Sequence, residues 1–446
     1  MMQSDTIFSL ASAPGRAGVA VFRLSGVHAG EAAADITGIV APEPRRAIRC
    51  RMVDPEDGLP LDDGLLLWFP GPNSFTGEDV AELHVHGGRA TIEAVAAVLA
   101  ARPGLRLAEP GEFSRRAFLA GKIDLTEAEA LADLVDAGTD AQRRQALAQL
   151  GGGLGGRLEG WRAALIDILA HAEAWIDFPD EDLPEDVAAS AAARIAGLER
   201  EIRDFLSDNR RGERLRDGFQ VALLGAPNVG KSSLLNAIAA RDAAIVSATA
   251  GTTRDVIETH LDLGGWPVTL ADTAGLRDDT GDEIEREGMR RALDRADSAD
   301  LRLAVFAAGV EPDAASLALV ADGAVPVLNK IDLAGTASGP MAGEGLGPGA
   351  LQVSARTGEG LRALLERIEA EAAAALDGAG APLTRLRHRQ ALAECADALA
   401  RAQIAVDSEL AAEDLRLAAR ALGRVTGRVD VEDLLDVIFY DFCIGK

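Results

Sequence analysis

Cysteine is nearly absent. The chain has three in 446 residues, Cys50, Cys395 and Cys443, far apart and odd in number. That pattern argues against a disulfide framework or a zinc ribbon and fits a reducing compartment. Basic residues are also short: 45 Lys and Arg stand against 71 Asp and Glu, a formal net charge of −26. This argues against a protein that coats nucleic acid non-specifically, because phosphate contacts need clustered cations. It leaves room for a local basic patch. No apolar run approaches the ~18 residues of a membrane span. Met1 to Pro14 carries Asp5 and no basic stretch ahead of an apolar one, which makes a poor signal peptide. A cytoplasmic protein with no membrane partner is expected. What is present is apolar residue in quantity, 48% of the chain, enough for several cores. The length suggests about three domains of ~150 residues.

Residues 1 to 120 mix short apolar runs with Gly and Pro punctuation. Val19 to Leu24 and Leu65 to Phe69 read as strands, Pro55 to Gly58 and Gly71 to Ser74 as turns, and Thr91 to Ala101 as a helix. The texture changes at Thr126, where Thr126-x-x-Glu129 reads as a capping box ahead of Ala128, Leu131, Leu134 and Val135. Helical patterning runs to about Arg211, with a break near Asp177 to Glu181. Strand and loop alternation occupies Phe219 to about Glu371, with Gly343 to Gly349 a loop, and helical patterning resumes at Leu383. The expected fold is multidomain α+β: an N-terminal α/β domain (1–120), an all-α domain in two parts (121–217 and 376–446), and an α/β unit (218–375) inserted between those parts. No internal repeat is seen.

The inserted unit carries the chemistry. Val221 to Leu224 is a short apolar strand; Gly225-Ala-Pro-Asn-Val-Gly230-Lys231-Ser232 follows and opens a helix, Leu234 to Ala240. This is the phosphate-binding pattern in its required strand, loop and helix context. Glycines let backbone N–H groups turn inward to phosphate oxygens at a helix N-terminus. Lys231 is expected to reach the β- and γ-phosphates and Ser232 to ligate Mg²⁺. Asp272-Thr273-Ala274-Gly275 follows a second strand, Val268 to Ala271; its aspartate can hold Mg²⁺ through water and the Gly275 N–H can meet the γ-phosphate. Asn329-Lys330-Ile331-Asp332 follows a third strand, Val325 to Leu328.

The Asp332 carboxylate can accept from guanine N1–H and the 2-amino group together. Adenine offers neither donor, and such a mismatch discriminates by ~10⁴-fold or more. Ser354-Ala355-Arg356 completes the base site, with the Ala355 N–H aimed at guanine O6. Arginine stands at 356 where lysine is usual, and the backbone makes the key contact. Gly251-Thr252-Thr253 suits a switch loop that orders on the γ-phosphate, with Thr253 on Mg²⁺. The GTP-contacting set is then Asn228, Val229, Gly230, Lys231, Ser232, Ser233, Ser247, Ala248, Thr249, Ala250, Gly251, Thr252, Thr253, Asp272, Thr273, Ala274, Gly275, Asn329, Lys330, Asp332, Ser354, Ala355 and Arg356, with Mg²⁺ on Ser232, Thr253 and Asp272. Leu276 stands where Ras-like enzymes place a water-orienting glutamine, so another group must orient the water. The acidic segment Asp278 to Glu285 can supply a carboxylate, or can be a solvated loop.

The whole sequence resembles the MnmE (TrmE) family of tRNA-modification GTPases. The stretches that carry the likeness are Asp5 to Ile7, Ala13 to Gly18, Phe69 to Asp79, His86 to Gly88, Pro110 to Ser114, Asp177 to Asp180 and the terminal Phe442-Cys443-Ile444-Gly445-Lys446. The resemblance implies a homodimer built from an N-terminal folate-binding domain, a helical domain and an inserted G domain. It implies a heterotetramer with the FAD-dependent partner MnmG. Together they place an aminomethyl or carboxymethylaminomethyl group on C5 of the wobble uridine of certain tRNAs, with a one-carbon unit from 5-formyl- or 5,10-methylene-tetrahydrofolate. By resemblance, Asn228, Ser247, Thr249 and Thr252 form a K⁺ site, and Glu285 orients the hydrolytic water. One extra residue between Gly275 and Glu285 keeps Glu283 as the alternative. Arg23, Glu82, Lys122 and Lys446 match folate-contacting positions. The resemblance also implies that Cys443 acts in the modification, as a nucleophile or proton donor, with Lys446 as a cation able to lower its pKa.

From the residues alone, Cys443 reads as a small packing residue and Arg23, Glu82 and Lys122 as surface charges. His84 and His86 alternate in a strand and read as structural, since a metal site needs three or four ligands. The basic clusters Arg210 to Arg216 and Arg385 to Arg389 read as tRNA contacts or as solvated helix ends and linkers. Two other functions use the same motifs: a ribosome-assembly switch of the Era or Der type, and an autonomous folate enzyme. The first lacks the N-terminal blocks and the Cys-Ile-Gly-Lys tail; the second leaves the G domain unexplained.

Overall fold

This structure, a computed structural model, describes residues 5–177, 185–240, 258–272, 299–333, 346, 349–378 and 383–429, with 435, 438, 439, 442 and 445 near the C-terminus. The chain forms two compact units. One is Met1–Ala132 with Leu150–Leu183 and Ile404–Lys446; the other is Asp133–Gln149 with Pro184–Gln403.

The first unit is built on β1 (Thr6–Leu10), β2 (Ala17–Ser25), β3 (Ile48–Val53), β4 (Pro60–Phe69), β5 (Val80–Gly87) and β6 (Leu105–Leu107). They form one sheet in the order β3-β4-β5-β2-β1-β6, antiparallel except for the β1/β6 pair. The alternation read in Val19 to Leu24 decides which face is buried. Ala20, Phe22 and Leu24 are buried with Leu83, Val85, Leu66 and Met52. They pack with helices α1 (Ala29–Thr37) and α2 (Arg89–Ala100) in one core. Burying each of the larger side chains stabilises the unit by ~1.5–3 kcal/mol. The residues between them point the other way. Arg23, Glu82, His84 and His86 therefore share the opposite face, which Phe113 covers in part.

Helix α3 (Glu112–Leu119) is tied to this sheet by a charged cluster. Arg116, 4% exposed, donates to Asp5, Glu78 and Glu112, and Arg106 pairs with Asp5 and Glu112. Helix α4 (Leu125–Asp136) begins two residues ahead of the expected box. Asp124 Oδ1 accepts from the Glu127 N–H at 2.9 Å, and the Glu127 carboxylate accepts from the Asp124 N–H at 2.8 Å. The box is thus Asp124-x-x-Glu127, because aspartate caps at least as well as threonine and precedes Leu125. Thr126 and Glu129 are buried inside the helix.

The second unit holds β7 (Phe219–Leu224), β8 (Glu258–Leu263), β9 (Trp266–Asp272), β10 (Leu301–Ala307), β11 (Val325–Asn329) and β12 (Leu351–Gln352), in the order β12-β11-β10-β7-β9-β8. All neighbours are parallel except β8 with β9. The central strands are apolar throughout because a parallel sheet is covered on both faces. Val221, Leu223, Leu303, Val305 and Val327 are buried with the helix that opens at Lys231 and with Leu361–Leu376.

That this sheet is an insertion is visible in contacts between helices that flank it in sequence. Gly153–Asp177 packs with Ser408–Thr426, where Arg416 pairs with Glu173 at 3.1 Å. In the other unit Gln149 bonds Thr384 and Arg203 pairs with Asp397. Helices before and after the sheet thus pack with one another.

Candidate nucleotide site

The phosphate loop follows β7, and its backbone is bent where the motif has glycine. Gly225 has φ +140° and Gly230 φ +98°. A Cβ at Gly225 would meet the Val305 carbonyl oxygen at 2.3 Å; one at Gly230 would meet Asn329 Nδ2 at 2.5 Å. Neither position admits a side chain, so the loop stays open as a backbone cradle. Asn228 also has positive φ, +63°. Lys231 starts the helix Lys231–Ala239 and is buried. Its Nζ donates to the carbonyls of Gly225 at 2.7 Å and Ala226 at 3.0 Å. The ammonium group thus stands inside the loop, where phosphate oxygens would replace those carbonyls. Ser232 and Ser233 are exposed in the first turn. The cradle, the buried lysine and the hydroxyls fit a Mg²⁺-nucleotide.

The base end is assembled from two further loops. Asn329 is buried at the end of β11. Its Nδ2 donates to the Val229 carbonyl at 3.1 Å, and its Oδ1 accepts from the Ala355 N–H at 3.1 Å. Lys330, in a left-handed conformation, donates to the Asn228 carbonyl at 2.5 Å. Asp332 Oδ1 accepts from the Ser354 hydroxyl at 2.6 Å, and Oδ2 pairs with Arg356 at 2.9 Å. The Ser354 hydroxyl, with Arg356 and Lys330 nearby, holds the Asp332 carboxyl below the usual carboxylate range. Asp332 is therefore an acceptor held in place, as guanine recognition requires. The Arg356 ion pair to Asp332 is not legible in the sequence, which points to the Ala355 N–H as the segment's key contact.

Asp272 ends β9 beside Leu223 in the ladder. Ser247, Ala248, Thr249, Ala250, Gly251, Thr252, Thr253, Thr273, Ala274, Gly275, Glu283 and Glu285 lie outside the described residues, as do Cys443 and Lys446.

On the face of the first sheet away from α1 and α2, β2 and β5 place Arg23 opposite Glu82. Arg23 Nε donates to Glu82 Oε1 at 3.0 Å, and its guanidinium lies over the Phe113 ring at 5.8 Å. His84 Nε2 is 3.4 Å from the other Glu82 oxygen, and His86 pairs with Asp62. Lys122 lies against Gly77 in the β4–β5 connection. No hydrogen bond or ion pair links it to Arg23 or Glu82 among the described residues. The sequence reads His84 as structural and assigns Phe113 no contact; their nearness to Glu82 and Arg23 depends on strand register and on the docking of α3. The thiols of Cys50 and Cys395 are both poor nucleophiles. Burial pushes Cys395 up to about 12, and burial followed by the nearby Asp63 raises Cys50.

The chain matches the model of the MnmE helical domain over residues 125–443 and that of the GTP-binding protein TrmE N-terminus over residues 6–122. The chain belongs to the MnmE family. It is 59% identical to a tRNA modification GTPase MnmE of Paramagnetospirillum magneticum, across 99% of this chain and 100% of that one. It is 57% identical to a protein of the same name from Parvibaculum lavamentivorans, with the same coverage. Among solved structures, the G domain of the T. maritima FeoB iron transporter is 30% identical, with a TM-score of 0.26, over 34% of this chain and 98% of that one. The N-terminal, helical and inserted G-domain parts expected of an MnmE chain are present. No helix among the described residues is long and apolar enough to cross a membrane.

Proposed function

We propose that this chain hydrolyses GTP and that its turnover serves the modification of tRNA at the wobble uridine. The observation that carries the proposal is the arrangement at Asp332. Its carboxylate is fixed by Ser354 and Arg356, while Asn329 ties the base loop at Ala355 to the phosphate loop at Val229. That arrangement favours a base with two adjacent donors, which is guanine. The names carried by the MnmE relatives supply the tRNA substrate.

In this reading Lys231 moves from the loop carbonyls to the phosphates, and the backbone N–H groups from Gly230 onward cradle them. Ser232, Thr253 and Asp272 would hold Mg²⁺, which neutralises phosphate charge. Asn228, Ser247, Thr249 and Thr252 would hold K⁺, which supplies the positive charge given elsewhere by an arginine finger. Glu285 orients the water. Arg23 and Glu82, with Lys122 and Lys446, hold a tetrahydrofolate derivative on the face of the first sheet away from α1 and α2; the alternation of cation and carboxylate suits pterin donors and glutamyl oxygens. Cys443 acts in the modification itself. The same reading includes a cytoplasmic homodimer, a heterotetramer with MnmG, an aminomethyl or carboxymethylaminomethyl product at C5, and domain limits near 120, 217 and 375.

Two measurements test it. Purified protein should turn over GTP and leave ATP untouched. Mass analysis of tRNA from cells lacking the chain should show wobble uridine without its C5 substituent. Equal use of ATP would remove the guanine assignment, and an unchanged wobble uridine would remove the tRNA assignment.

A further inference from the structure

Most arginines of the two basic clusters pair with acids of this chain. Arg210 pairs with Glu213, Arg214 with Asp300, and Arg216 with Asp133 and Asp217. Arg385 shares Asp133, and Arg389 bridges Asp208 and Glu213 at 2.6 and 2.7 Å. The pairs of Arg216 and Arg385 with Asp133 and of Arg389 with Glu213 tie distant segments together, and each pair offsets part of the clusters' charge.

A different segment leaves charge available. Arg45, Arg46, Arg49 and Arg51 fall within seven residues and are all exposed. Arg45 is engaged, stacked over Phe69 and donating to the Asn73 carbonyl, and Arg46 pairs with Glu43. Arg49 and Arg51 have no ion-pair or hydrogen-bonding side-chain partner among the described residues. They alternate with the buried Cys50 and Met52 on β3, so both project from the opposite face. β3 is the edge strand of its sheet. Residues two apart on a strand are about 6.7 Å apart, so the two guanidinium groups can each take a separate phosphate. The nearest acid in the ladder is Asp63, opposite Arg51 and itself exposed; the two form no ion pair. Opposite Arg49 stands Leu65, 37% exposed.

Charge on an edge strand also blocks pairing with another chain, and either sign serves that purpose. Two arginines without acid partners, in a chain with net charge −26, add what edge protection does not require: a cationic strip. We propose that Arg49 and Arg51 form a docking strip for the phosphate backbone of RNA on the edge of the N-terminal sheet. The inference rests on the tRNA substrate of the reading above. The strip positions the RNA and carries no sequence preference, because phosphate contacts contain no base information.

The test uses the full chain and bulk tRNA, with affinity measured across a salt series. Arg49→Gln/Arg51→Gln should weaken binding about tenfold near 0.1 M salt and reduce the slope of log K against log salt by about 2, near one per lost phosphate contact. Arg49→Glu/Arg51→Glu keeps a charged, protected edge and should bind more weakly still, with GTP turnover unchanged in both variants. Arg200→Gln, at an exposed arginine of the other unit, should bind as the wild type. A double variant with wild-type affinity and slope overturns the strip while leaving the tRNA reading standing. Equal weakening by Arg200→Gln overturns it in favour of overall charge. A wild-type chain that does not bind tRNA removes the substrate reading and the strip together.

Discussion

Asn329 and Val229, 100 residues apart, are joined by a hydrogen bond of 3.1 Å from the Asn329 side-chain amide to the Val229 carbonyl. The same side chain receives the Ala355 N–H. One buried amide therefore sets the distance between the phosphate cradle and the base loop. Asn329→Ala removes both bonds and leaves a buried carbonyl unsatisfied, a loss of ~1–3 kcal/mol. GDP affinity should fall by about tenfold or more, read by titration with a fluorescent nucleotide. Unchanged affinity would mean that the loops hold their spacing without Asn329.

Asp332 should decide the base. Asp332→Asn donates where the carboxylate accepted, so the site should come to favour xanthine nucleotides, which carry an acceptor at C2. A competition between GTP and XTP measures this. A variant that still strongly prefers GTP would show that the 329 to 332 segment does not read the base.

Much of this site was legible because its determinants are short and contiguous. The phosphate loop depends on Gly225, Gly230 and Lys231 between a strand and a helix. The base loop depends on four consecutive residues, Asn329 to Asp332, that begin at the last residue of β11. Each pattern states its own backbone requirement, and the close approach of Val305 to Gly225 is the physical form of that requirement. The ion-pair network was not legible. Arg389 finds Glu213 across 176 residues and Arg385 finds Asp133 across 252, and nothing local in Arg385 to Arg389 separates a buried tie from a free charge. The capping box at Asp124 was displaced by two residues for a milder reason. Asp124 and Thr126 are both competent caps, and packing of Leu125 and Ala128 chose between them.

Arg116 should be a stability residue of the first unit. It is 4% exposed and bound to Asp5, Glu78 and Glu112. Arg116→Ala takes the arginine from Glu78 and leaves Asp5 and Glu112 to Arg106 alone, and should cost ~1–3 kcal/mol near neutral pH, seen as a lower urea midpoint. The loss should shrink in acid. Burial works to raise the Glu112 carboxyl, but Arg106, the Glu109 N–H and Arg116 outweigh it and hold it below the usual range. A carboxyl lowered in the folded state contributes stability above its unfolded pKa of ~4.3 and loses it as pH falls through the folded value. The difference between wild type and variant should therefore begin to shrink as pH falls below ~4.3 and close as it passes the lowered folded value. A constant difference down to pH 3 would assign the loss to packing.

Hydrolysis should depend on K⁺. The chain has Leu276 where a water-orienting glutamine stands in Ras-like enzymes, and Asn228 lies at the turn of the phosphate cradle with its carbonyl held by Lys330. Replacing K⁺ with Na⁺ should slow turnover at least tenfold, about 1.4 kcal/mol of barrier. Asn228→Ala should remove the difference between the salts. Equal rates in the two salts for the wild type would end the assignment.

Glu285 and Cys443 should separate two activities. Glu285→Ala should leave GTP affinity nearly intact, because an orienting group touches water and not nucleotide. It should lower kcat by ~10²-fold or more, the usual scale for such a group. Cys443→Ser should do the reverse, leaving GTP turnover near normal while wobble-uridine modification fails. The phosphate and base loops belong to the second unit, whereas Phe442 and Gly445, on either side of Cys443, belong to the first. Phe442 packs with Phe439 and Leu125, and Gly445 lies against Leu10 at the end of β1. The other two thiols are buried with raised pKa values, so neither can substitute. The decisive measurement is paired: GTP turnover, and modified nucleoside recovered from tRNA, for each variant. Full modification by Cys443→Ser would reduce the cysteine to packing. A normal kcat for Glu285→Ala would pass its role to Glu283 or another acid between 278 and 287.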